Sequence, residues 1–143
     1  MIYLDYAAGT PVDQQVLDLF YETTKKYYAN PNSSHQLGKL EKNMIDQSTS
    51  NILKNLNLNN SEVIYTSGAS ESNNLALKGI CERYKNYGKH ILISSLEHNS
   101  IVSSATNLQE LGFEVELIPV NKQGFIEVKT LKQMIREDTI LVS

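Results

Sequence analysis

The sequence predicts an α/β protein built on a mostly parallel sheet flanked by helices. Three observations carry that reading. From residue 62 onward, short β-type runs alternate with stretches of helical spacing, the pattern of β-α-β crossovers. Runs such as "ILIS" and "ILVS" are apolar at every position but the last, as expected of strands covered on both faces. The 143 residues, 41% of them hydrophobic, suit one domain with a sizeable core.

The elements follow in order. Thr10-Pro11-Val12-Asp13 reads as a helix start, with Thr10 as cap, Pro11 in the first turn and Asp13 at the positive end of the dipole. Val12, Val16, Leu19, Phe20, Thr23 and Tyr27 then share a face. "ANPNSSHQ", 29–36, is a loop held by Pro31. A second helix should run from about Leu37 to Leu56, with Leu37, Leu40, Met44, Ile45, Ile52, Leu53 and Leu56 inward. "EVIYT" reads as a strand and "NNLALKGICERYKN" as a helix. "KHILIS" is a strand, and "SIVSSATNLQEL" a helix stopped by Gly112. "FEVELIP" is a strand, "TLKQMIRE" a helix capped by Thr130, and "TILVS" a further strand. That last run reads as buried, so the natural polypeptide is expected to continue beyond Ser143.

Composition narrows the function. A net charge of −3 without basic runs interleaved with aromatics argues against nucleic acid. No apolar stretch approaches the ~20 residues that span a bilayer, and "MIYLDYAAG" is not a signal peptide. The single cysteine, Cys81, excludes an internal disulfide framework and a multi-cysteine metal site. A cytoplasmic protein is expected. His35 and His98 do not form a metal site, having no third ligand at suitable spacing. Cys81 shares a helix face with Leu77, Ile80 and Tyr84, which favours a small core residue over a nucleophile.

Three segments can meet outside the carboxyl ends of the strands, where open α/β sheets bind ligands. "TSGASESNN" places small residues where a strand becomes a helix. Its N–H groups can approach an anion closely, the dipole favours negative charge, and Ser70 adds a hydroxyl. The same shape also fits a tight turn capped by Ser70 that holds nothing. Neither the Walker pattern nor the three-glycine dinucleotide fingerprint is present. In "SSLEHNS", His98 follows an apolar strand; it can stack on a flat ligand or move a proton, or simply cap and hydrogen-bond locally. "NPNSSHQLG" can line a substrate mouth or be a plain loop.

Several of these segments together resemble one family. "YLDYAAGTPV", "NPNSSHQLG", "EVIYTSGASESNNLALKG", "SSLEHNSI" and "NKQGFIEVKTLKQMIREDTILVS" resemble, in order and spacing from Ile2 to Ser143, the NifS/IscS-like cysteine desulfurases of the class V aminotransferase group. The resemblance implies a pyridoxal 5'-phosphate enzyme of fold type I and a homodimer. It implies that residues 1–12 lead into the large domain, and that 13–143 form the N-terminal half of that cofactor-binding domain. Ala69 and Ser70 match the family's cofactor-binding positions, with Ser70 where Thr is frequent. His98 matches the histidine that stacks on the pyridine ring and assists proton transfer. Gly9 and Asn32 depart from the usual Thr and Ser, which leaves fine substrate contacts open.

The reaction implied converts L-cysteine to L-alanine and an enzyme persulfide, which feeds a sulfur acceptor such as an iron–sulfur scaffold. The Schiff-base lysine, the pyridine-pairing aspartate, the substrate arginine and the catalytic cysteine belong to motifs these residues do not contain. Cys81 does not match the catalytic position. The family's large-domain sheet has strand order 3-2-4-5-6-7-1, so "EVIYT", as strand 1, would stand apart from strands 2 to 4 with unpaired backbone groups. The expectation is therefore an incomplete large domain, inactive in isolation. A selenocysteine lyase would share these motifs. The alternatives from other classes are a naturally short, non-catalytic cofactor- or partner-binding protein and a generic nucleotide-binding domain.

Overall fold

A computed structural model describes residues 2–58 and 60–143; Met1, the first residue of the expected leading segment, lies outside them. The chain divides into two compact units, Met1–Ile64 and Tyr65–Ser143.

The first unit carries helices α1 (Gln14–Lys26) and α2 (Gln36–Asn55). The α1 start lies beyond the expected Thr10 cap. The Asp13 carboxylate accepts from the N–H groups of Gln15 at 2.9 Å and Val16 at 3.4 Å, which makes Asp13 the cap and leaves Thr10 and Pro11 outside. Asn57 ends α2 in the left-handed conformation at φ 56°. Leu58 N–H reaches the Leu53 carbonyl and Asn57 N–H that of Lys54, the paired bonds of a helix stop. The inward faces expected of these helices are not buried within the described residues. Phe20 is 68% exposed and Leu40 49%, and Gly38 is the buried residue of α2. The periodicity is real, but two helices with short connections do not surround each other's apolar stripes.

The second unit holds the sheet. Helix α3 (Ala69–Tyr84) leads to β1 (His90–Ser94), α4 (Asn99–Glu110), β2 (Glu114–Ile118), α5 (Val128–Met134) and β3 (Thr139–Val142). The strand order is β2-β1-β3, parallel throughout, which reproduces the 3-2-4 portion of the expected order. Ile91 lies opposite Val115 on one side and Leu141 on the other. The run "ILIS" is buried on both faces as its composition predicts, with Ile91 and Leu92 fully buried and Ile93 nearly so. "ILVS", expected to be covered in the same way, is not: β3 is an edge strand among the described residues, its residues are half-buried, and Val142 is 44% exposed. Ile91 and Ile93 pack with Leu77 and Cys81 of α3, and with Ile101, Ala105 and Leu108 of α4. Each leucine and isoleucine among them contributes about 1.5–3 kcal/mol through burial.

Three boundaries depart from expectation. Residues 61–66 belong to no strand of the described sheet, because a strand exists only against a partner and β2-β1-β3 offers none to "EVIYT". Helix α5 begins after Glu127 instead of at Thr130, since Leu131 N–H already bonds the Glu127 carbonyl and places Thr130 inside the first turn. On α3, Leu77 and Cys81 are buried while Ile80 and Tyr84 are 36% and 47% exposed, so the core stripe is narrower than the shared face suggested. The predicted stop at Gly112 holds. Its φ is 85°, and Phe113 N–H returns to the Leu108 carbonyl while both side chains join the core.

His90 is fully buried where the three strands begin. One ring nitrogen meets Thr139 Oγ1 at 2.7 Å and the other Glu116 Oε2 at 3.2 Å, so its polar atoms are satisfied by both neighbouring strands.

Candidate functional site

The N-terminus of α3 is formed by Gly68, Ala69 and Ser70. Gly68 is the N-cap in extended conformation, φ 164° and ψ 178°, and gives no side-chain cap. Among the described helices of twelve residues or more, α1, α2 and α4 are capped by Asp13, His35 and His98, whereas α3 is not. The first intrahelical bond runs from Ser72 N–H to the Gly68 carbonyl. The N–H groups of Ala69 and Ser70 therefore precede any helical acceptor. Both residues are exposed, and a Cβ at Gly68 would meet nothing within 4 Å. The capping role that sequence allowed Ser70 is not taken up.

The acidic group nearest this turn is engaged elsewhere. Glu71 Oε2 accepts from Ser67 N–H and Ser67 Oγ, each at 2.7 Å. These donors, the hydroxyl first and the N–H second, hold the Glu71 carboxyl below its usual range, so it is ionised at neutral pH. Thr66 Oγ1 lies 2.6 Å from Ser72 Oγ and ties the entering chain to the first turn. What stays open at the positive end of α3, among the described residues, is the backbone N–H groups of Ala69, Ser70 and Glu71 and the exposed Ser70 hydroxyl. That donor set suits a phosphate group.

His98 is the N-cap of α4, one short loop after β1 ends. Its Nδ1 accepts from Ser100 N–H at 3.1 Å and lies 2.9 Å from Ser100 Oγ. Asn73 Nδ2, one turn into α3, donates to Ser100 Oγ at 2.8 Å. The bond ties α3, one turn beyond its open end, to the first turn of α4 that His98 caps after the carboxyl end of β1. Two of the three sequence candidates thus lie on helices joined by this bond within the second unit. The third, "NPNSSHQLG", folds in the first unit as the entry to α2. His35 Nδ1 caps Gly38 N–H at 3.2 Å, and a Cβ at Gly38 would come 2.5 Å from the Ser33 carbonyl oxygen and 2.8 Å from that of Asn30.

Sequence reasoning missed Asn73 and Ser100. Their signal was positional: Asn73 lies four residues after Ala69 on one helix, and Ser100 two residues after a candidate cap. Cys81 is where sequence put it. It is fully buried, and burial pushes its thiol up to about 11.

Residues 2–143 match the aminotransferase class-V family. Cysteine desulfurase IscS 1 of Archaeoglobus fulgidus is 43% identical over the whole of this chain, which spans 37% of that relative. A solved NifS-like protein superposes with a TM-score of 0.91 at 31% identity, over 99% of this chain and 39% of its own. SspA in complex with cysteine superposes with a TM-score of 0.87 at 34% identity, over 98% of this chain and 40% of its own. The chain thus spans about two fifths of the proteins it resembles, along its entire length. It belongs to the class-V aminotransferase family, and its homologues include cysteine desulfurases of the IscS and NifS type.

Proposed function

We propose that this chain supplies the phosphate-binding turn and the ring-contacting histidine of a pyridoxal 5'-phosphate-dependent cysteine desulfurase. The observation that carries the proposal is the uncapped N-terminus of α3 held beside His98 by the 2.8 Å bond from Asn73 to Ser100. The reaction takes L-cysteine and an enzyme thiol to L-alanine and an enzyme persulfide, which then passes sulfur to an acceptor such as an iron–sulfur scaffold. Bound cofactor supplies the electron sink for bond changes at the substrate. The chain's own residues bind and orient. Ala69 and Ser70 would donate N–H groups and a hydroxyl to the cofactor's phosphate, and His98 would contact its ring and hold a proton at Nε2. That a solved relative carries cysteine supports cysteine as the substrate.

The thiol that takes the sulfur is not Cys81, the single cysteine among these residues, because it is buried and held protonated. The 143 residues on their own are therefore expected to bind but not to turn over. In the same reading, residues 1–12 lead into the large domain and 13–143 build its N-terminal half. The working enzyme is a cytoplasmic homodimer.

The test is binding of pyridoxine 5'-phosphate, which has no aldehyde to react with surface lysines, to the chain and to two variants. Ala69→Pro removes one N–H at the first helical position, where proline is tolerated. Ser70→Ala removes the hydroxyl. Each loses one hydrogen bond to a charged group, about 1.5–3 kcal/mol, so affinity falls about tenfold or more. Unchanged affinity in both variants sinks the phosphate cradle.

A further inference from the structure

We infer that Asn73 and Ser100 are positioning residues that fix the proton of His98 on Nε2; the inference rests on His98 being the ring-contacting group proposed above. Ser100 N–H can only donate, and it points at His98 Nδ1 from 3.1 Å. Nδ1 is therefore an acceptor, and the neutral ring carries its proton on Nε2. Ser100 Oγ, 2.9 Å from the same nitrogen, turns its hydrogen toward Nδ1 as well and shares the single lone pair with Ser100 N–H, since an oxygen lone pair facing that nitrogen at this distance would repel it. That leaves its lone pairs to receive the Asn73 amide at 2.8 Å.

The direction of the relay is forced. If the Asn73 amide were turned to present oxygen, Ser100 would give it the hydroxyl proton. Its lone pairs would then face Nδ1, which would need a hydrogen there and collide with Ser100 N–H. The only consistent chain runs from the Asn73 amide to the Ser100 hydroxyl to Nδ1. Nε2 has no hydrogen-bond partner among the described residues, and His98 is exposed, so the proton is presented outward. The relay starts one turn inside α3, whose first turn is the proposed phosphate cradle. The same helix thus sets both the anion site and the state of the histidine beside it. A ring proton on Nδ1 would be spent inside the cap and unavailable to a ligand.

The experiment is long-range ¹H–¹⁵N spectroscopy of the ¹⁵N-histidine-labelled full chain at a pH where the ring is neutral. The chain has three histidines, and His98→Gln assigns the signal. The expected result is a proton-bearing Nε2 and an acceptor-type Nδ1. Asn73→Ala should move the Nδ1 resonance downfield, toward that of an unbonded nitrogen, and Ser100→Ala should move it further. Adding Asn73→Ala to Ser100→Ala should then produce no additional shift, because Asn73 acts only through the hydroxyl. Ser100→Thr, which keeps the hydroxyl, should restore the Asn73 effect. A proton on Nδ1, or an Asn73→Ala shift of equal size with and without Ser100, overturns the inference. Adding pyridoxine 5'-phosphate separates it from the reading it rests on. An unmoved Nε2 resonance with coupled Nδ1 shifts refutes the ring contact alone, while a moved Nε2 resonance with uncoupled Nδ1 shifts refutes the relay alone.

Discussion

Gly88→Ala should destabilise the second unit sharply, whereas Gly79→Ala should not. A Cβ at Gly88 would fall on the backbone of Asp138, against its carbonyl oxygen, 2.7 Å from its carbonyl carbon and 2.8 Å from its Cα. Backbone cannot swing aside as a side-chain tip can. The Asp138 carbonyl accepts His90 N–H at 3.1 Å, and the next residue, Thr139, holds the His90 ring. Pushing residue 138 away therefore strains the start of the β1–β3 pairing. Overpacking costs about 1–3 kcal/mol, and the weakened hydrogen bond adds about 1 kcal/mol, for roughly 2–4 kcal/mol in all. At Gly79, on the exposed side of α3, a Cβ meets nothing within 4 Å, so alanine gains about 0.8–1 kcal/mol of helix propensity. Urea unfolding followed by circular dichroism reads both. With a slope of about 1–3 kcal/mol per molar, the two midpoints should separate by about 1 M or more. A Gly88→Ala variant within about 1 kcal/mol of the parent would refute the packing argument.

Further outcomes follow from the same reasoning. The Cys81 thiol is raised by burial from 9.0 to about 11. The folded state then keeps its proton where the unfolded state releases it, so stability is full below pH 9 and declines toward pH 11. The decline is at most about 1.4 kcal/mol per pH unit, and comparing the parent with Cys81→Ala across that window isolates it. Gly112→Ala places a Cβ at φ 85° and should cost about 1–2 kcal/mol in denaturant unfolding, from conformation instead of crowding. Asp13→Ala removes the cap of α1 and should cost about 1 kcal/mol, seen as reduced helix signal at its N-terminal end by amide exchange.

The central strand β1 was legible because burial on both faces leaves a strong mark. "ILIS" has no polar position until Ser94, and its neighbours are paired in the expected order. Gly112 was legible because a left-handed helix stop favours glycine. "EVIYT" stands apart from the sheet as its place in the expected strand order implied, but it forms no strand, since a strand needs a partner as well as a composition. The α1 and α2 stripes were correctly periodic, yet Phe20 and Leu40 stay exposed, because periodicity says which side is apolar and not what covers it. At the site, small residues before α3 and a histidine after β1 were visible as types. The Asn73–Ser100 bond spans 27 positions and arises only when α3 and α4 pack, so no local pattern contains it.

The most direct test of the central claim compares pyridoxine 5'-phosphate with pyridoxine in binding to the chain. The two differ by the phosphate alone. If the open end of α3 is the phosphate cradle, the phosphorylated ligand should bind at least tenfold tighter, about 1.4 kcal/mol, and the preference should shrink in Ala69→Pro. Equal affinities, or a preference that survives Ala69→Pro undiminished, would contradict the account.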